Sequence, residues 1–353
     1  MANNIGFGKI YDSTWWGVGV NNDISWGITY KDLAGSDDFI ITVKTDNAGT
    51  SASDQFTIPT TGTGFLYDIT TSDGYTATGV TGNHTITFPS GAGTHTVTIS
   101  GSFPQCYFNN GGDNAKLMTI ENFGIYALGS TSQSAAFWGC SNLVISATDS
   151  GNFGNVTNFY TAWNGCSSLT SFPLINTSSG TIFSSTWRSC SSLTSFPLLD
   201  TSSGTNFDRS WYNCLSLTSF PLLDTSSSTD FYRAWRGCSS LASYPANAFD
   251  TNIATNYSEA FQSTNLTTQS IDDILVSLDT SGVSNGTFAQ SGGSAPSAVG
   301  LAAIANLTTK GWTITTTSLT IVQNFKTIVI ADGGTFEAEA CLNAVLTNLN
   351  DIQ

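Results

Sequence analysis

The sequence predicts a mainly β chain with short helices: an N-terminal β-sandwich, then a solenoid of coils about 24 residues long, closed by a small strand–helix element. Three observations predict it. Cysteines recur at positions 140, 166, 190, 214 and 238, first 26 and then 24 residues apart, inside near-copies such as "CSSLTSFPLLDTSSGTNFDRSW". A fixed period of this length marks stacked supersecondary units. Residues 36–110 alternate apolar and polar side chains in short runs between turn-rich stretches, the pattern of half-buried strands. Charged residues are only 10% of 353, and Ser, Thr, Gly and Asn take their place, which suits strands and turns better than long charged helices.

The segments follow in order. Residues 1–35 form a Gly- and Trp-rich leader, "IGFGKIYDSTWWGVGVNNDISWGITY". Residues 36–110 carry the runs "DDFIITVKT", "DQFTIPT", "GFLYDITTS", "HTITFPS" and "THTVTISGSF", which argue an antiparallel sandwich. Residues 111–315 hold the coils, with "NYSEAFQSTNLTT" as a diverged copy and "LAAIANLTTKGWTIT" as a closing one whose strand ends near Trp312. Terminal coils are expected to be atypical because they cap the stack. Residues 316–353 predict a strand over Phe325–Ala331, a tight turn, and a helix with the apolar stripe Leu342, Val345, Leu346 and Leu349. That stripe either caps the domain or attaches it to something else.

Read column by column, each cysteine has an aromatic three residues earlier: Phe137, Trp163, Trp187, Trp211 and Trp235. A small residue stands four earlier, and Phe159, Phe183, Phe207 and Phe231 stand seven earlier. These offsets predict one face of a short helix. Leu169, Leu193, Leu217 and Leu241 lie three residues beyond the cysteines, and Phe172, Phe196, Phe220 and Tyr244 six beyond, each followed by proline. This half reads as a brief extended segment and a turn. No single coil can hide its aromatic side, but a stack of coils makes a continuous ladder of Trp163, Trp187, Trp211 and Trp235 beside Cys166, Cys190, Cys214 and Cys238. With no CxxC pair among seven cysteines, the repeating thiols read as small buried hydrophobes rather than as a zinc site or a disulfide framework.

Little in the chain points to catalysis. His84 and His95 fall inside expected strands, with no recognisable nucleophile or metal partner around them. No phosphate loop, dinucleotide fingerprint or zinc spacing is present, so neither a cofactor nor a metal is expected. Asp200 and Asp224 each lie ten residues after a cysteine; they could stack into a cation site or close their own turns. The four arginines, Arg188, Arg209, Arg233 and Arg236, occupy only the columns two and five residues before the cysteine. They read either as an outward cationic strip that docks an acidic glycan or an acidic protein patch, or as local partners of Asp208, Asp230 and Glu259.

Net charge is −15, from 25 acidic and 10 basic residues. Such a surface repels nucleic acid and anionic membrane, and no apolar run is long enough to span a bilayer. The start has no basic stretch followed by an apolar one, so no secretory signal is read.

The repeats resemble the BspA-like leucine-rich repeats, a solenoid family of bacterial surface proteins and some phage proteins. The likeness rests on "AWRGCSSL", "CSSLTSFP" and "AFQSTNLTT" and covers about residues 130–315. Residues 36–110, above all "GVTGNHTITFPSGAGTHTVTISGSFPQCYFNNGGD", resemble the PKD-like, immunoglobulin-type module that precedes such repeats; "TTSDGY" stands where that family has Trp-Gly-Asp-Gly. The leader and the ending "ADGGTFEAEACL" are similar to the ends of phage virion proteins. The resemblance implies a binding scaffold: a non-enzymatic tailed-phage virion protein (fibre, spike or decoration protein) that recognises a host-surface glycan or protein. Its implied partners are other virion proteins and further copies of itself, with no nucleic acid and no membrane insertion. The alternatives are a bacterial cell-surface adhesin built on the same repeats and a depolymerase.

Overall fold

The computed structural model describes residues 37–317, all of which fall in one compact unit. The expected leader, and the expected strand and helix near the C-terminus with Cys341, lie outside the described residues. The described part is mainly strand, with two α-helices. One hydrophobic core runs without a break from Phe39 to Trp312.

The first layers come from alternation. In β1 (Phe39–Lys44) every second side chain, Phe39, Ile41 and Val43, is sealed, because successive side chains leave a strand on opposite faces. The same holds for Phe56 and Ile58 of β2 (Gln55–Ile58) and for His95, Val97 and Ile99 of β6 (Thr94–Ser102). With β3 (Leu66–Thr71), β4 (Thr76–Val80), β5 (His84–Thr87), β7 (Leu117–Asn122) and β8 (Val144–Ile145), they build a six-stranded sheet in the order β4-β3-β6-β1-β7-β8 and a two-stranded sheet, β2-β5. Gly101 lets β6 bend where it meets β3: its φ is +89°, and a Cβ there would lie 2.6 Å from the Leu66 carbonyl oxygen. β7 pairs antiparallel with β1, while β8, inside the first coil, pairs parallel with β7. The large sheet therefore continues past residue 110, where the sequence reading placed a boundary.

Beyond it, successive copies lie one upon another. Parallel bridges join Ser132 to Asn158, Asn158 to Ile182, Ile182 to Asn206, Asn206 to Asp230 and Asp230 to Asn256. The expected helical face is absent: no residue from 156 to 255 is helical. In its place each coil makes consecutive turns. Phe207, Arg209, Trp211 and Asn213 donate their N–H groups to the carbonyls of Asp230, Tyr232, Ala234 and Arg236 in the next coil, at 2.8–3.0 Å. The N–H groups between them, from Ser210, Tyr212 and Cys214, close turns on residues three earlier. Left-handed residues make this alternation possible, Arg209 at φ +54° and Asn213 at +59°. An α-helix would direct nearly all of these donors inward along itself and leave none to hold a neighbour. Two linked turns return the chain to the same face about every four residues, which is why the spacing looked helical.

The far end is capped by real helices. The segment "NYSEAF", expected to keep helical offsets, is β9 (Asn256–Phe261). It joins β10 (Thr287–Gln290) and β11 (Thr313–Thr315) in a parallel sheet. Between them run α1 (Thr268–Thr280), which the sequence reading missed, and α2 (Ala298–Thr309) in the expected closing coil. Ile271, Ile274, Leu275 and Leu278 give α1 its buried stripe at helical spacing. Thr267 and Ser297 cap the two helices by accepting N–H bonds from Ser270 and Val299. Trp312 closes the core, its indole N–H donating to the Val283 carbonyl at 2.7 Å.

Candidate binding face

The inward columns set the geometry of the outward ones. Trp163, Trp187, Trp211 and Trp235 are wholly buried and stack in order with ring centres 6.2, 5.6 and 5.3 Å apart and planes within 8° of parallel. Phe159, Phe183, Phe207 and Phe231 form a second stack at 5.2–5.5 Å. Phe172, Phe196, Phe220 and Tyr244 form a third, each ring nearly perpendicular to the indoles beside it. Cys166, Cys190, Cys214 and Cys238 are buried free thiols. Each donates its S–H to the carbonyl of the aromatic residue one coil earlier, at 3.0–3.3 Å. Burial pushes the Cys190 thiol up to about 12, so the column is chemically inert, as a thiolate is the reactive form.

With those residues inside, Asn164, Thr161 and Ser185 of the columns two and five residues before the cysteine are buried, whereas Arg188, Tyr212 and Arg236 two before it and Arg209 and Arg233 five before it are part exposed on one face. Glu259 demonstrates it. Its carboxylate accepts from Arg233 Nε at 2.9 Å and also pairs with Arg236 of the other column. Arg209 pairs with Asp208 at 2.7 Å. Asp230, a partner considered from sequence, instead accepts from Asn256 Nδ2 and from the Tyr232 N–H. Tyrosines interleave with the cations. Arg188 lies over Tyr212, its guanidinium carbon 5.1 Å from the ring centre, while Arg209 and Arg233 lie over Tyr232 at 4.8 and 4.6 Å. Burial raises the Asp208 carboxyl above its usual range, with the nearby charge of Asp230 adding to it, against the lowering effect of Arg209 and Arg233.

Sequence reasoning identified the arginine columns but missed the aromatic half of the face. Tyr212 shares a column with Arg188 and Arg236, and Tyr160 and Tyr232 stand six residues before their cysteines. The same alignment of copies held that signal.

The other candidates sit elsewhere. Asp200 and Asp224 close their own turns, each accepting from the backbone N–H and hydroxyl of the serine two residues on. His84 contacts the Tyr75 hydroxyl at 2.7 Å, and burial lowers its pKa. His95 stacks on Phe88, ring centres 4.0 Å apart, with its Nε2 3.0 Å from the Gly91 carbonyl. A surface depression of about 320 Å³ is lined by Leu128, Asn152, Asn155 and Asn176, among others, and by no arginine. Among the described residues, no group of three or more His, Cys, Asp or Glu side chains is placed to hold a metal ion, and no helix is long and apolar enough to cross a membrane.

What this arrangement can do chemically is bind. It presents guanidinium cations over phenol rings, donors suited to carboxylate or phosphate oxygens and apolar ring faces beside them. Comparison of the chain with protein-family models, with curated proteins and with solved structures found no match.

Proposed function

We propose that this chain is a non-enzymatic structural protein of a tailed-phage virion, a fibre, spike or decoration protein, that presents a BspA-like leucine-rich-repeat solenoid behind a PKD-like β-sandwich for recognition of a host surface. One observation carries the reading. From coil to coil the inward columns repeat nearly unchanged, whereas the part-exposed positions two before the cysteine run Arg188, Tyr212 and Arg236, and those five before it run Arg209, Arg233 and then Glu259 at the corresponding place. A chain that repeats its interior and varies one exposed face suits a rigid scaffold for recognition. The acidic surface argues against nucleic acid as the partner. Other virion proteins and further copies of the chain are the partners expected at its ends.

Mass spectrometry of purified particles tests the proposal, together with deletion of residues 1–35 or 316–353 and a measurement of incorporation. Recovery of the protein from particles, lost with one of the deletions, is the expected result. Absence from particles with display on a bacterial surface would favour an adhesin instead. Release of sugar fragments from a surface polysaccharide would overturn the non-enzymatic part.

A further inference from the structure

Three of the four arginines already face a carboxylate, and one does not. Arg209 faces Asp208, and Arg233 and Arg236 share Glu259. Arg188 has no carboxylate within 4.0 Å among the described residues, and none of its guanidinium N–H donors is hydrogen-bonded there, its backbone N–H alone donating to the Ser185 carbonyl. Its guanidinium carbon instead lies over the Tyr212 ring, 5.1 Å from the ring centre. The ring contact restricts the guanidinium, so less freedom is left to lose when it meets an anion. The side chain is part exposed, and Tyr160, in the preceding coil, is 48% exposed.

The composition of the face narrows the occupant. A dense polyanion would gain one open cation and meet a protein of net charge −15, so repulsion outweighs the contact. A protein partner of ordinary kind needs a desolvated apolar anchor. Of the exposed leucines between Cys166 and Cys238, Leu174, Leu198 and Leu222 stand eight residues after a cysteine and Leu215 one after, none of them in these columns. What fits is a chain rich in hydroxyl groups, with apolar ring faces and carboxylates set far apart.

We propose that Arg188, held on Tyr212, is the anion-reading position of the face, and that its occupant is a glycan bearing isolated carboxylates, whose sugar rings pack on Tyr160 and Tyr212. This rests on the reading of the coils as a host-recognition surface. The guanidinium takes the carboxylate through paired N–H donors, and the phenol rings bury the C–H faces of the adjoining sugars.

The test is binding of the full-length protein to arrayed bacterial surface polysaccharides, each in native and carboxyl-reduced form, with adsorption to host cells measured in parallel. Carboxyl reduction should weaken the recognised glycan about tenfold or more, the value of a charged hydrogen-bonded pair. Arg188→Ser should cause the same loss on the native glycan and none on the reduced one. Lys44→Ser, in β1 and outside the coils, should leave affinity within about twofold, and Arg188→Lys should restore only part of it. Wild-type affinity in Arg188→Ser, or tighter binding of a densely sulfated polysaccharide, overturns the assignment. Cell adsorption that persists with no glycan bound also overturns it while leaving host recognition standing; loss of both overturns the two together.

Discussion

The indole of Trp187 lies on that of Trp211, ring centres 5.6 Å apart and planes 8° from parallel. The stack continues to Trp235 and then to Phe261, 4.8 Å on. Among the described residues, none of the four indole N–H groups has a hydrogen-bond acceptor. An orphaned donor of this kind costs about 1–3 kcal/mol. Burying an indole of 150–250 Å² returns about 4–6 kcal/mol, so burial wins.

Trp211→Ala should therefore cost about 3–5 kcal/mol, the range for a large aromatic removed from a packed core. Trp211→Phe should cost less, because the lost donor was never satisfied. Equilibrium denaturation with urea checks both; equal costs would mean that the unpaired N–H carries no penalty.

The buried pair Lys116 and Asp113 makes a second prediction. Lys116 is 1% exposed, and its ammonium donates to the Ser51, Ala52 and Gln55 carbonyls and the Ser51 hydroxyl at 2.8–3.0 Å. Asp113, 3.9 Å away, accepts from the N–H groups of Thr50, Ser51 and Thr57. Together they hold the loop from 46 to 54 against β7. Lys116→Met should destabilise by about 3–5 kcal/mol by leaving a buried carboxylate without its cation. The double change with Asp113→Asn should recover part of that loss in thermal melts.

Acid should weaken the strand-rich part that contains Asp73 and Asp113. Burial raises the Asp73 carboxyl, but bonds from Thr71 and Ser90 and the charge of His95 outweigh it and hold it at about 2. Asp113 is likewise lowered, burial being outweighed by bonds from Ser51 and Thr57 and by Lys116. A carboxyl lower in the folded than in the unfolded chain stabilises above about pH 4, and that contribution fades as pH falls toward the folded value. Unfolding free energy should drop from about pH 4 to pH 2. Asp73→Asn should flatten that slope, and an unchanged slope would show that Asp73 does not contribute.

Asp208 has the opposite sign. Its carboxyl is raised, and its Oδ1 is buried without a partner among the described residues. A raised carboxyl stabilises fully below its unfolded pKa and loses that contribution as pH rises through its folded pKa. Asp208→Asn should therefore stabilise by up to about 1 kcal/mol at pH 7 and by less at pH 4. Melting at the two pH values reads the difference.

The thiol column should be silent in the native protein. Cys140, Cys166, Cys190, Cys214 and Cys238 should stay unlabelled by iodoacetamide until the stack unfolds, because all five are wholly buried out of the reagent's reach. Labelling followed by peptide mapping checks each one.

The amino-acid order by itself determined the period, the identity of the inward columns, the burial of the cysteines and the outward placing of the arginines. Each follows from which side chains avoid water at a fixed interval, and that is written residue by residue. Only the tertiary structure decided how the backbone satisfies that interval. A helix and a pair of left-handed turns both bring every third or fourth side chain inward. Trp211 and Cys214 cannot distinguish them until the N–H groups of Arg209 and Asn213 find carbonyls in the next coil. The same holds for the charges: Arg233, Arg236 and Glu259 meet only because two coils lie about 5 Å apart, and that leaves Arg188 as the open one.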